Sequence, residues 1–258
     1  MPDFTTVTEI TGNKVTREQI ERMYTRYRFA AELCENKDVL EVACGSGQGL
    51  GLLAKKAKRV LAGDIEEENL KLALRHYKDR PDIELKVMDA QQLALDNESF
   101  DVIILYEAIY YLAHPERFVQ EAKRVLRKGG ILLICIANKD CPSFNPSPYS
   151  HRYFSVPELF GLMKEKGFDN ITIFGSCPDE NKNLKDKFIS LLKRSAVRLH
   201  LIPRTMKGKE CLKRIFMGKL EPLPSEILES AYIYQPPIAL PVHAPNAEYK
   251  VLFAKGHK

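Results

Sequence analysis

The spacing of apolar residues divides the first 175 residues into alternating helices and strands. A helical spacing begins behind Thr16 and Gln19, which fit a capping box, and it predicts a helix over about residues 16–34. Short apolar runs that lack this spacing predict strands. These runs lie at 39–43, 59–63, 83–88, 100–106, 131–137 and 170–174.

Helical patterns separate the apolar runs. One predicted helix runs from 66 to 77, and another runs from 115 to 127, where Gly129 and Gly130 are expected to end it. A further helix is predicted at 156–166. Strands that alternate with helices predict an α/β fold with a mainly parallel sheet and helices on both faces.

A glycine-rich turn at 44–49, C-G-S-G-Q-G, joins the first predicted strand to a helix. Gly45 and Gly47 allow positive φ and let a ligand approach the backbone, and the N–H groups of the following helix face that ligand. A strand, such a turn and a helix in succession are typical of nucleotide-binding α/β folds. The dinucleotide fingerprint requires a third small residue at position 50, where this chain has Leu50.

Two acids flank the glycine-rich turn. Glu41 lies inside the first strand, and because a buried carboxylate is costly unless it is paired, it predicts a cationic partner in the ligand. Asp64 ends the second strand about 20 residues after the turn, where an acid can accept hydrogen bonds from a ribose diol. Glu41 and Leu50 together disfavour a nicotinamide oxidoreductase.

These residues resemble a known family. The stretch E-V-A-C-G-S-G at 41–47, followed by G-D-I at 63–65, is similar to motif I and the strand-two acid of class I S-adenosylmethionine (SAM) dependent methyltransferases. Within them, the chain resembles the methyltransferase type 11 and ubiquinone/menaquinone-type small-molecule group, over roughly residues 20–175. The resemblance implies a Rossmann-like fold with a seven-stranded sheet, SAM as cofactor and S-adenosylhomocysteine as product.

The resemblance also implies where the cofactor lies. Asp89, at the end of strand three, would receive the adenine amino group. The N-terminal helix would cover the cofactor through Tyr24, Tyr27 and Arg28, unless this helix only packs on the sheet. The cofactor-binding residues implied in this way are Tyr27, Glu41, Ala43, Gly45, Gly47, Gln48, Asp64, Ile65, Asp89, Ala90, Gln91 and Tyr106.

The chain departs from the minimal family fold after strand six. The family has a short connection to an antiparallel strand seven, and the best candidate for that strand here lies at 249–255. About 70 residues therefore separate two strands that should pair, and we interpret them as an inserted lid. The predicted division is an N-terminal cap helix region at 1–36, a SAM-binding core at 37–175, a basic lid at 176–248 and a final core strand at 249–258.

The predicted lid carries the positive charge of the chain. The formal net charge is +5, and residues 182–219 hold 12 Lys and Arg against Asp186 and Glu210. Apolar residues fall on one helical face at 184–199, and a second amphipathic piece lies at 209–219. Three interpretations stay open: a solvated helix face, recognition of an anionic acceptor such as a phosphorylated or nucleotide-linked sugar, and a peripheral membrane contact through residues 184–219.

Methyl transfer from SAM depends mainly on holding donor and acceptor in line, so no fixed catalytic constellation is expected. For a hydroxyl acceptor a general base would help, and His151 is the first candidate because it lies in the loop 138–154 that should border the acceptor. Glu107 and Tyr110 follow strand four, where the acceptor should sit, and are the other candidate catalytic residues. An exposed loop histidine, and tyrosines that only wall the pocket, are the alternatives.

Several specialised methyltransferase classes are disfavoured. The Asn/Asp-Pro-Pro-aromatic motif of nucleobase amino methylation is replaced by Y-E-A-I at 106–109, and the Pro-Cys nucleophile of cytosine C5 methylation occurs only reversed, at 141–142. Glu107 and Asp140 are too sparse for a magnesium site, so no metal is expected. Aromatic residues are thin in the basic segment, which disfavours nucleic acid as a partner.

The resemblance predicts a methyltransferase that acts on oxygen of a small molecule, or of a saccharide or nucleotide-sugar. The segment T-R-E-Q-I-E-R-M-Y-T-R-Y-R-F-A resembles the N-terminal region of methyltransferases associated with bacterial surface-glycan synthesis, which favours a sugar acceptor. A quinone or isoprenoid-lipid methyltransferase is one alternative. A non-catalytic SAM-binding protein is another.

The sequence predicts a cytoplasmic protein, in which any contact with the inner face of the membrane would be peripheral. No apolar run approaches the ~20 residues of a membrane span, and the N-terminal stretch does not resemble a signal peptide. The six cysteines lack C-x-x-C spacing and are expected to be reduced thiols. A monomer and a homodimer both stay open.

Overall fold

The computed structural model describes residues 8–179, 220–230 and 232–258. A single 3-10 turn lies at Ile109–Tyr111. The helices and strands of these residues are β1 Lys14–Thr16, α1 Arg17–Ala31, β2 Asp38–Val42, α2 Leu50–Ala54, β3 Arg59–Asp64, α3 Glu67–Tyr77, β4 Ile83–Val87, β5 Phe100–Tyr106, α4 Pro115–Val125, β6 Leu126–Ala137, α5 Val156–Glu165, β7 Asp169–Pro178, β8 Leu220–Pro222, β9 Ile238–Leu240 and β10 Tyr249–His257.

Eight of these strands form one sheet in the order β4-β3-β2-β5-β6-β10-β7-β9. Strands β2 to β6 are parallel, whereas β10 lies between β6 and β7 and is antiparallel to both. This confirms the predicted Rossmann-like sheet and its antiparallel last strand, and β9 adds an eighth strand at the edge. The strand order reverses at β2, so the carboxyl ends of β2 and β5 border the crevice in which such sheets bind ligands.

Two apolar layers cover the sheet. On the face of α1, α2 and α3, the ring of Phe29 meets the rings of Phe174 and Phe253 edge to face, each at a centroid distance of 5.3 Å. On the other face, α4 and α5 bury Phe118 and Leu159 completely. Full burial of such side chains contributes about 1.5–3 kcal/mol each, so both layers fix the helices relative to the strands.

One predicted boundary is wrong. The helix expected to run to Arg127 ends at Val125, because Leu126 is extended and pairs with Phe100 of β5. Gly129, expected to end the helix, has a φ of 75° inside β6 instead. Leu126 is fully buried in the sheet, and this tertiary burial outweighs a helical pattern that continues along the sequence.

The segment 220–230 packs against the N-terminal region. β8 pairs antiparallel with β1 in a separate two-stranded sheet. Leu223 and Ile227 are buried, and the N–H of Ile227 donates to the carbonyl of Gln48 at 2.7 Å. This part of the predicted lid therefore touches both the cap helix region and the glycine-rich turn.

The structure describes only part of the rest of the predicted lid. The amphipathic pieces at 184–199 and 209–219 lie outside the described residues, so the division of the chain into core and lid stays a prediction. Within the part of the chain described above, no helix has both the length and the apolar character that a membrane crossing requires. The five cysteines in that part, Cys34, Cys44, Cys135, Cys141 and Cys177, are free thiols.

Candidate active site

The glycine-rich turn follows β2 and contains three residues of positive φ. Ala43, Gly45 and Gly47 have φ values of 57°, 57° and 77°. A Cβ added at Gly47 would lie 3.0 Å from the Cβ of Ala73 and would be strained in this conformation. Ala43 adopts the left-handed region although it carries a Cβ, which is unfavourable by itself. The surroundings of the turn must therefore hold this shape.

Asp64, at the end of β3, is one of these surroundings. Its Oδ2 accepts a hydrogen bond from the N–H of Gly45 at 2.8 Å, and its Oδ1 accepts one from the N–H of Glu66 at 2.9 Å. Burial raises the pKa of Asp64, and the backbone hydrogen bonds from Glu66 and Gly45 oppose that rise. The carboxylate thus joins the glycine-rich turn to the start of α3, at the place where a ribose diol is expected.

Tyr77 holds the turn from α3 and was not predicted as a site residue. Its hydroxyl donates to the carbonyl of Gly47 at 2.8 Å and accepts from the N–H of Gly51 at 3.2 Å. The sequence places Tyr77 at the end of a predicted helix, but no local pattern indicates that its hydroxyl reaches a turn 30 residues earlier. Only the packing of α3 on the sheet brings the two together.

Glu41 lies in β2 with only 1% of its surface exposed. The Tyr27 hydroxyl donates to its Oε1 at 2.7 Å, whereas Oε2 is buried and has no hydrogen-bond partner among the described residues. Burial raises the pKa of Glu41 to about 8, although the Tyr27 hydrogen bond opposes this. At neutral pH this pKa favours the protonated form of Glu41, so a cationic ligand group would pair with Oε2 once the proton has left.

The ring of Tyr27 covers the turn. A Cβ added at Gly49 would lie 2.1 Å from Cδ1 of this ring, and the ring meets Tyr106 at a centroid distance of 5.5 Å. Tyr24 and Arg28, also considered as cofactor contacts, instead contact Tyr232 and Tyr234 respectively. Helix α1 therefore packs on the sheet and places Tyr27 over the turn, whereas its predicted role as a cover for the cofactor stays a prediction.

The N-terminal segment before β1 also lies on the turn. The N–H of Thr11 donates to Oγ of Ser46 at 3.2 Å, and Nε2 of Gln48 donates to the carbonyl of Glu9 at 2.7 Å. Gln48 is predicted to contact the cofactor, and in this structure its side chain is buried between Glu9 and Ser46. Its amide therefore fastens the N-terminal segment to the turn.

The residues predicted to surround an adenine lie at the carboxyl ends of β3 and β4. Ile65 follows Asp64 and is 43% exposed. Asp89 is exposed, and its Oδ1 accepts from the N–H of Gln91 at 2.8 Å. Ala90 between them is buried. These residues are thus at the same edge of the sheet as the glycine-rich turn.

A second cluster follows β5. Nη2 of Arg26 lies 2.9 Å from Oε1 of Glu107, and the Tyr110 hydroxyl donates to Oε2 of Glu107 at 2.9 Å. Glu107 has a φ of 52°, so its backbone is held in a strained conformation at the sheet edge. Burial and the neighbouring Glu107 raise the pKa of Tyr110 well above its usual value. Tyr110 therefore donates a hydrogen bond to Glu107 here, and its predicted catalytic role stays a prediction.

Arg26 was missed by the sequence interpretation. It lies on α1, its side chain is 13% exposed, and Glu107 keeps its pKa raised in spite of its burial. Spacing along α1 shows only that Arg26 is off the apolar face. Its pairing with a residue 81 positions later depends on how α1 lies across the carboxyl ends of the strands.

His151 lies beside this cluster through its backbone alone. Its N–H donates to the carbonyl of Tyr110 at 2.7 Å, and its side chain is exposed. Among the described residues, no hydrogen bond or ion pair joins its imidazole to Glu107 or Tyr110. The ring of Tyr110 stacks on Tyr153 at a centroid distance of 4.3 Å, so aromatic side chains wall this side of the crevice.

A cavity of about 310 Å³ lies at the opposite edge of the sheet. Asn97, Glu98, Arg124 and Lys258 line it, and it borders the amino ends of β5 and β6. None of the predicted site residues lines this cavity, so the candidate site is the crevice at the carboxyl edge.

The match to a known family agrees with this geometry. Residues 40–134, from β2 into β6, match the protein family described as a methyltransferase domain. Over these residues the chain is similar to methyltransferase domains. The glycine-rich turn, Asp64 and Glu107 all lie within the matched range.

Curated relatives resemble the methyltransferase domain in sequence. A probable SAM-dependent methyltransferase of Mycobacterium tuberculosis is 33% identical over 156 residues, which are 58% of this chain and 55% of the relative. A ubiquinone biosynthesis O-methyltransferase of Mesorhizobium japonicum is 28% identical over 124 residues, which are 48% of this chain and 50% of the relative. The chain spans about half the length of the curated relatives it matches.

A solved structure resembles the fold. The SAM-dependent methyltransferase of Thermotoga maritima, described as a possible histamine N-methyltransferase, has a TM-score of 0.60 and 18% sequence identity over 93% of this chain and 92% of that one. At this identity the likeness shows the shared fold of the methyltransferase domain. The likeness in fold carries no information about the acceptor of this chain.

Proposed function

We propose that the protein is a SAM-dependent methyltransferase that methylates a hydroxyl oxygen of a small molecule, with a saccharide or nucleotide-sugar as the favoured acceptor. The observation that carries this proposal is the pair of clusters at one sheet edge. Glu41 offers a buried oxygen that has no hydrogen-bond partner among the described residues and lies next to the glycine-rich turn. Glu107 forms an ion pair with Arg26 at the end of β5. When bound, SAM supplies a methyl group that is already activated.

The first cluster fits the cofactor group by group. Oε2 of Glu41 is a buried acceptor that suits the ammonium of the methionine part. Asp64 lies beside the positive-φ turn and has acceptor capacity left for a ribose diol, since each carboxylate oxygen can accept two hydrogen bonds. The exposed side chain of Ile65 suits the face of an adenine. These assignments support SAM as the cofactor, and the proposal involves no metal.

The second cluster suits a hydroxyl acceptor. Arg26 pairs with Glu107 and holds it at the end of β5, where a carboxylate can accept the proton that a hydroxyl loses on methylation. Tyr110 donates to the same carboxylate and fixes its orientation. His151 remains a second candidate for the base, and its imidazole would need to turn into the crevice. A prenylated quinol is the alternative acceptor, because the similar Mesorhizobium protein is named for ubiquinone biosynthesis.

The role of the base can be tested by two substitutions. Glu107→Gln should lower kcat by roughly 100-fold or more, because a positioned general base contributes about 10²–10⁴-fold. His151→Ala should lower kcat by much less, since its side chain is exposed. Steady-state methyl transfer with labelled SAM measures both. A loss in His151→Ala equal to that in Glu107→Gln would place the base on His151 instead.

Asp64→Ala should weaken S-adenosylhomocysteine binding by about 1–3 kcal/mol. The substitution removes a charged acceptor for the diol and also frees the N–H groups of Gly45 and Glu66. Titration calorimetry gives the dissociation constant. Asp79→Ala, which alters a carboxylate that is 87% exposed, is the control and should bind like wild type. Equal binding by Asp64→Ala would contradict the diol assignment.

The acceptor class can be found without knowing the acceptor. The purified protein is incubated with methyl-labelled SAM and an extract of its source cells, and the products are partitioned between water and an organic solvent. Label in the aqueous small-molecule fraction supports a sugar or nucleotide-sugar. Label in the organic phase supports the quinol or another isoprenoid lipid. Absence of transfer by a protein that binds S-adenosylhomocysteine would favour a non-catalytic SAM-binding protein.

A further inference from the structure

Helix α1 carries three charged residues one turn apart on the side that faces the carboxyl edge of the sheet: Glu18, Arg22 and Arg26. The two outer residues are paired. Oε1 of Glu18 lies 3.2 Å from Nζ of Lys250, at the start of β10, and Arg26 pairs with Glu107, after β5. Because β6 lies between β5 and β10 in the sheet, and Arg22 lies between Glu18 and Arg26 on the helix, we infer that Arg22 lies near the carboxyl end of β6.

Arg22 lacks a counterion within the described part of the chain. Its Nε is buried and makes no hydrogen bond there. No carboxylate of that part lies within 4.0 Å of its guanidinium. A buried N–H group of a charged side chain is unfavourable without an acceptor, so Arg22 is suited to an acceptor that comes from outside.

The neighbouring charges do not satisfy Arg22. Glu107 is occupied by Arg26 and Tyr110, and Glu18 is occupied by Lys250. Asp140, in the loop after β6, also has a buried oxygen without a partner, yet no ion pair within 4.0 Å joins it to Arg22. Among the residues described, Arg22 is therefore a positive charge without an ion pair one helical turn from Arg26 and the Glu107 cluster.

We propose that Arg22 binds an anionic group of the acceptor, a carboxylate or a phosphate, while Glu107 faces the hydroxyl to be methylated. This inference rests on the proposed function and narrows it to anionic acceptors. A guanidinium presents its N–H groups as a planar fork that matches two oxygens of such an anion. One helical turn separates Arg22 from Arg26, so the anion and the reacting hydroxyl belong to neighbouring parts of one molecule.

The first test uses inorganic phosphate as the probe. The full-length protein, labelled with ¹⁵N and saturated with S-adenosylhomocysteine, is titrated with phosphate, and with chloride at equal ionic strength. The Nε–H signal of Arg22, assigned by its loss in Arg22→Gln, should shift saturably with phosphate and not with chloride. The signal of Arg17, whose Nε lies 3.0 Å from Oε1 of Glu21, should stay in place. An Arg22 signal that ignores phosphate, or follows chloride equally, would overturn the proposal.

The second test uses methyl transfer to the acceptor fraction of the cell extract. Arg22→Gln should raise the KM for the acceptor roughly 10- to 100-fold, and leave the dissociation constant of S-adenosylhomocysteine within about twofold, a change below 0.5 kcal/mol. Arg22→Lys should recover part of the loss, and Arg17→Gln should behave like wild type. Phosphatase treatment of the extract separates a phosphate acceptor, which it abolishes, from a carboxylate acceptor, which it leaves intact.

The two tests separate this inference from the proposed function. A protein that fails to bind S-adenosylhomocysteine contradicts the proposed function, whatever Arg22 does. A protein that binds it and transfers methyl groups, with an unchanged acceptor KM in Arg22→Gln, contradicts only the anion site. A KM that rises together with a large loss of S-adenosylhomocysteine binding also contradicts it, because Arg22 would then support the cofactor site instead.

Discussion

Replacing Glu41 with glutamine is expected to weaken S-adenosylhomocysteine binding by about 2–4 kcal/mol, or roughly 30- to 700-fold. Glutamine keeps the shape of the side chain and an oxygen that can accept from the Tyr27 hydroxyl. It removes the negative charge that the proposed ammonium contact requires, in a position where only 1% of the residue is exposed. Titration calorimetry measures the loss, and equal affinity in the variant would contradict the ammonium assignment.

The same carboxyl group should make cofactor binding depend on pH. The pKa of Glu41 is raised to about 8, so at lower pH a proton must leave before the charged pair forms. Wild-type affinity should therefore rise with pH up to about pH 8, and binding at about pH 7 should release a proton. Titrations in buffers of different ionisation enthalpy detect this proton. Glu41→Gln should show no such release.

Stability should change with pH in the opposite direction. Because the pKa of Glu41 rises from 4.5 to about 8 on folding, its contribution to the free energy of unfolding is complete below pH 4.5 and is lost as the pH rises through about 8. That loss amounts to at most about 5 kcal/mol. The Glu41→Gln variant lacks this pH-dependent loss. The free energy of unfolding in urea, expressed relative to wild type, should therefore be higher for the variant at about pH 9 than at about pH 5.

Tyr27→Phe is the matched control for Glu41. The hydrogen bond from the Tyr27 hydroxyl favours the ionised form of Glu41. Its removal should raise the pKa of Glu41 further and shift the pH at which affinity rises to a higher value, while the ring still covers the turn. A shift to lower pH would show that Tyr27 does not stabilise the carboxylate.

Gly49→Ala is expected to destabilise the protein by about 3 kcal/mol, from overpacking and the loss of the buried hydrogen bond between Tyr27 and Glu41. The backbone at Gly49 has a φ of −99°, which alanine tolerates. The new Cβ would instead lie 2.1–2.2 Å from three atoms of the Tyr27 ring. The ring must move, and its hydroxyl then leaves Glu41. Thermal unfolding should show a fall in Tm of roughly 6–12 °C.

Gly51→Ala is the control for Gly49→Ala. It shows whether any alanine next to the glycine-rich turn destabilises the protein. The three atoms nearest to a Cβ added at Gly51 all belong to the carboxylate end of Glu226, whose Oε2 lies 3.0 Å from Nε2 of His76. This end of a flexible side chain can move at the cost of one partly exposed pair, so the variant should unfold within about 1 kcal/mol of wild type. A double-mutant cycle gives the sharper test. In a Tyr27→Ala background, Gly49→Ala should lose most of its cost, since the colliding ring is gone. If Gly49→Ala destabilised the Tyr27→Ala variant as much as it destabilises wild type, the strain would come from a contact other than the Tyr27 ring.

Local signals in the sequence were enough to predict most of the sheet and the identity of the fold. The capping box of Thr16 and Gln19 is present, and β2, β3, β4 and β5 begin or end within one residue of the predicted runs. These features depend on residues one to four positions apart, which the sequence displays directly. The error at Leu126 shows the limit, because the end of that helix is decided by a partner strand.

Glu41, the glycine-rich turn and Asp64 were also predictable, since all three are tied to the ends of adjacent strands, where parallel sheets place their ligands. The pairing of Glu41 with Tyr27, and the proton that burial leaves on Glu41, were not. Both depend on how α1 crosses the sheet. The helical spacing of α1 predicts which of its faces is apolar, but it does not predict where along the strands the helix lies.

By itself, then, the sequence determined the order of strands and helices, the glycine-rich turn and the acids around it. The tertiary structure alone decided that Tyr77 holds the turn from behind, that Arg26 pairs with Glu107, and that Arg22 is left without a partner among the described residues. The physical reason is range. Periodicity and capping act within a few residues, whereas charge pairing in the crevice joins groups from distant parts of the chain that only packing brings together.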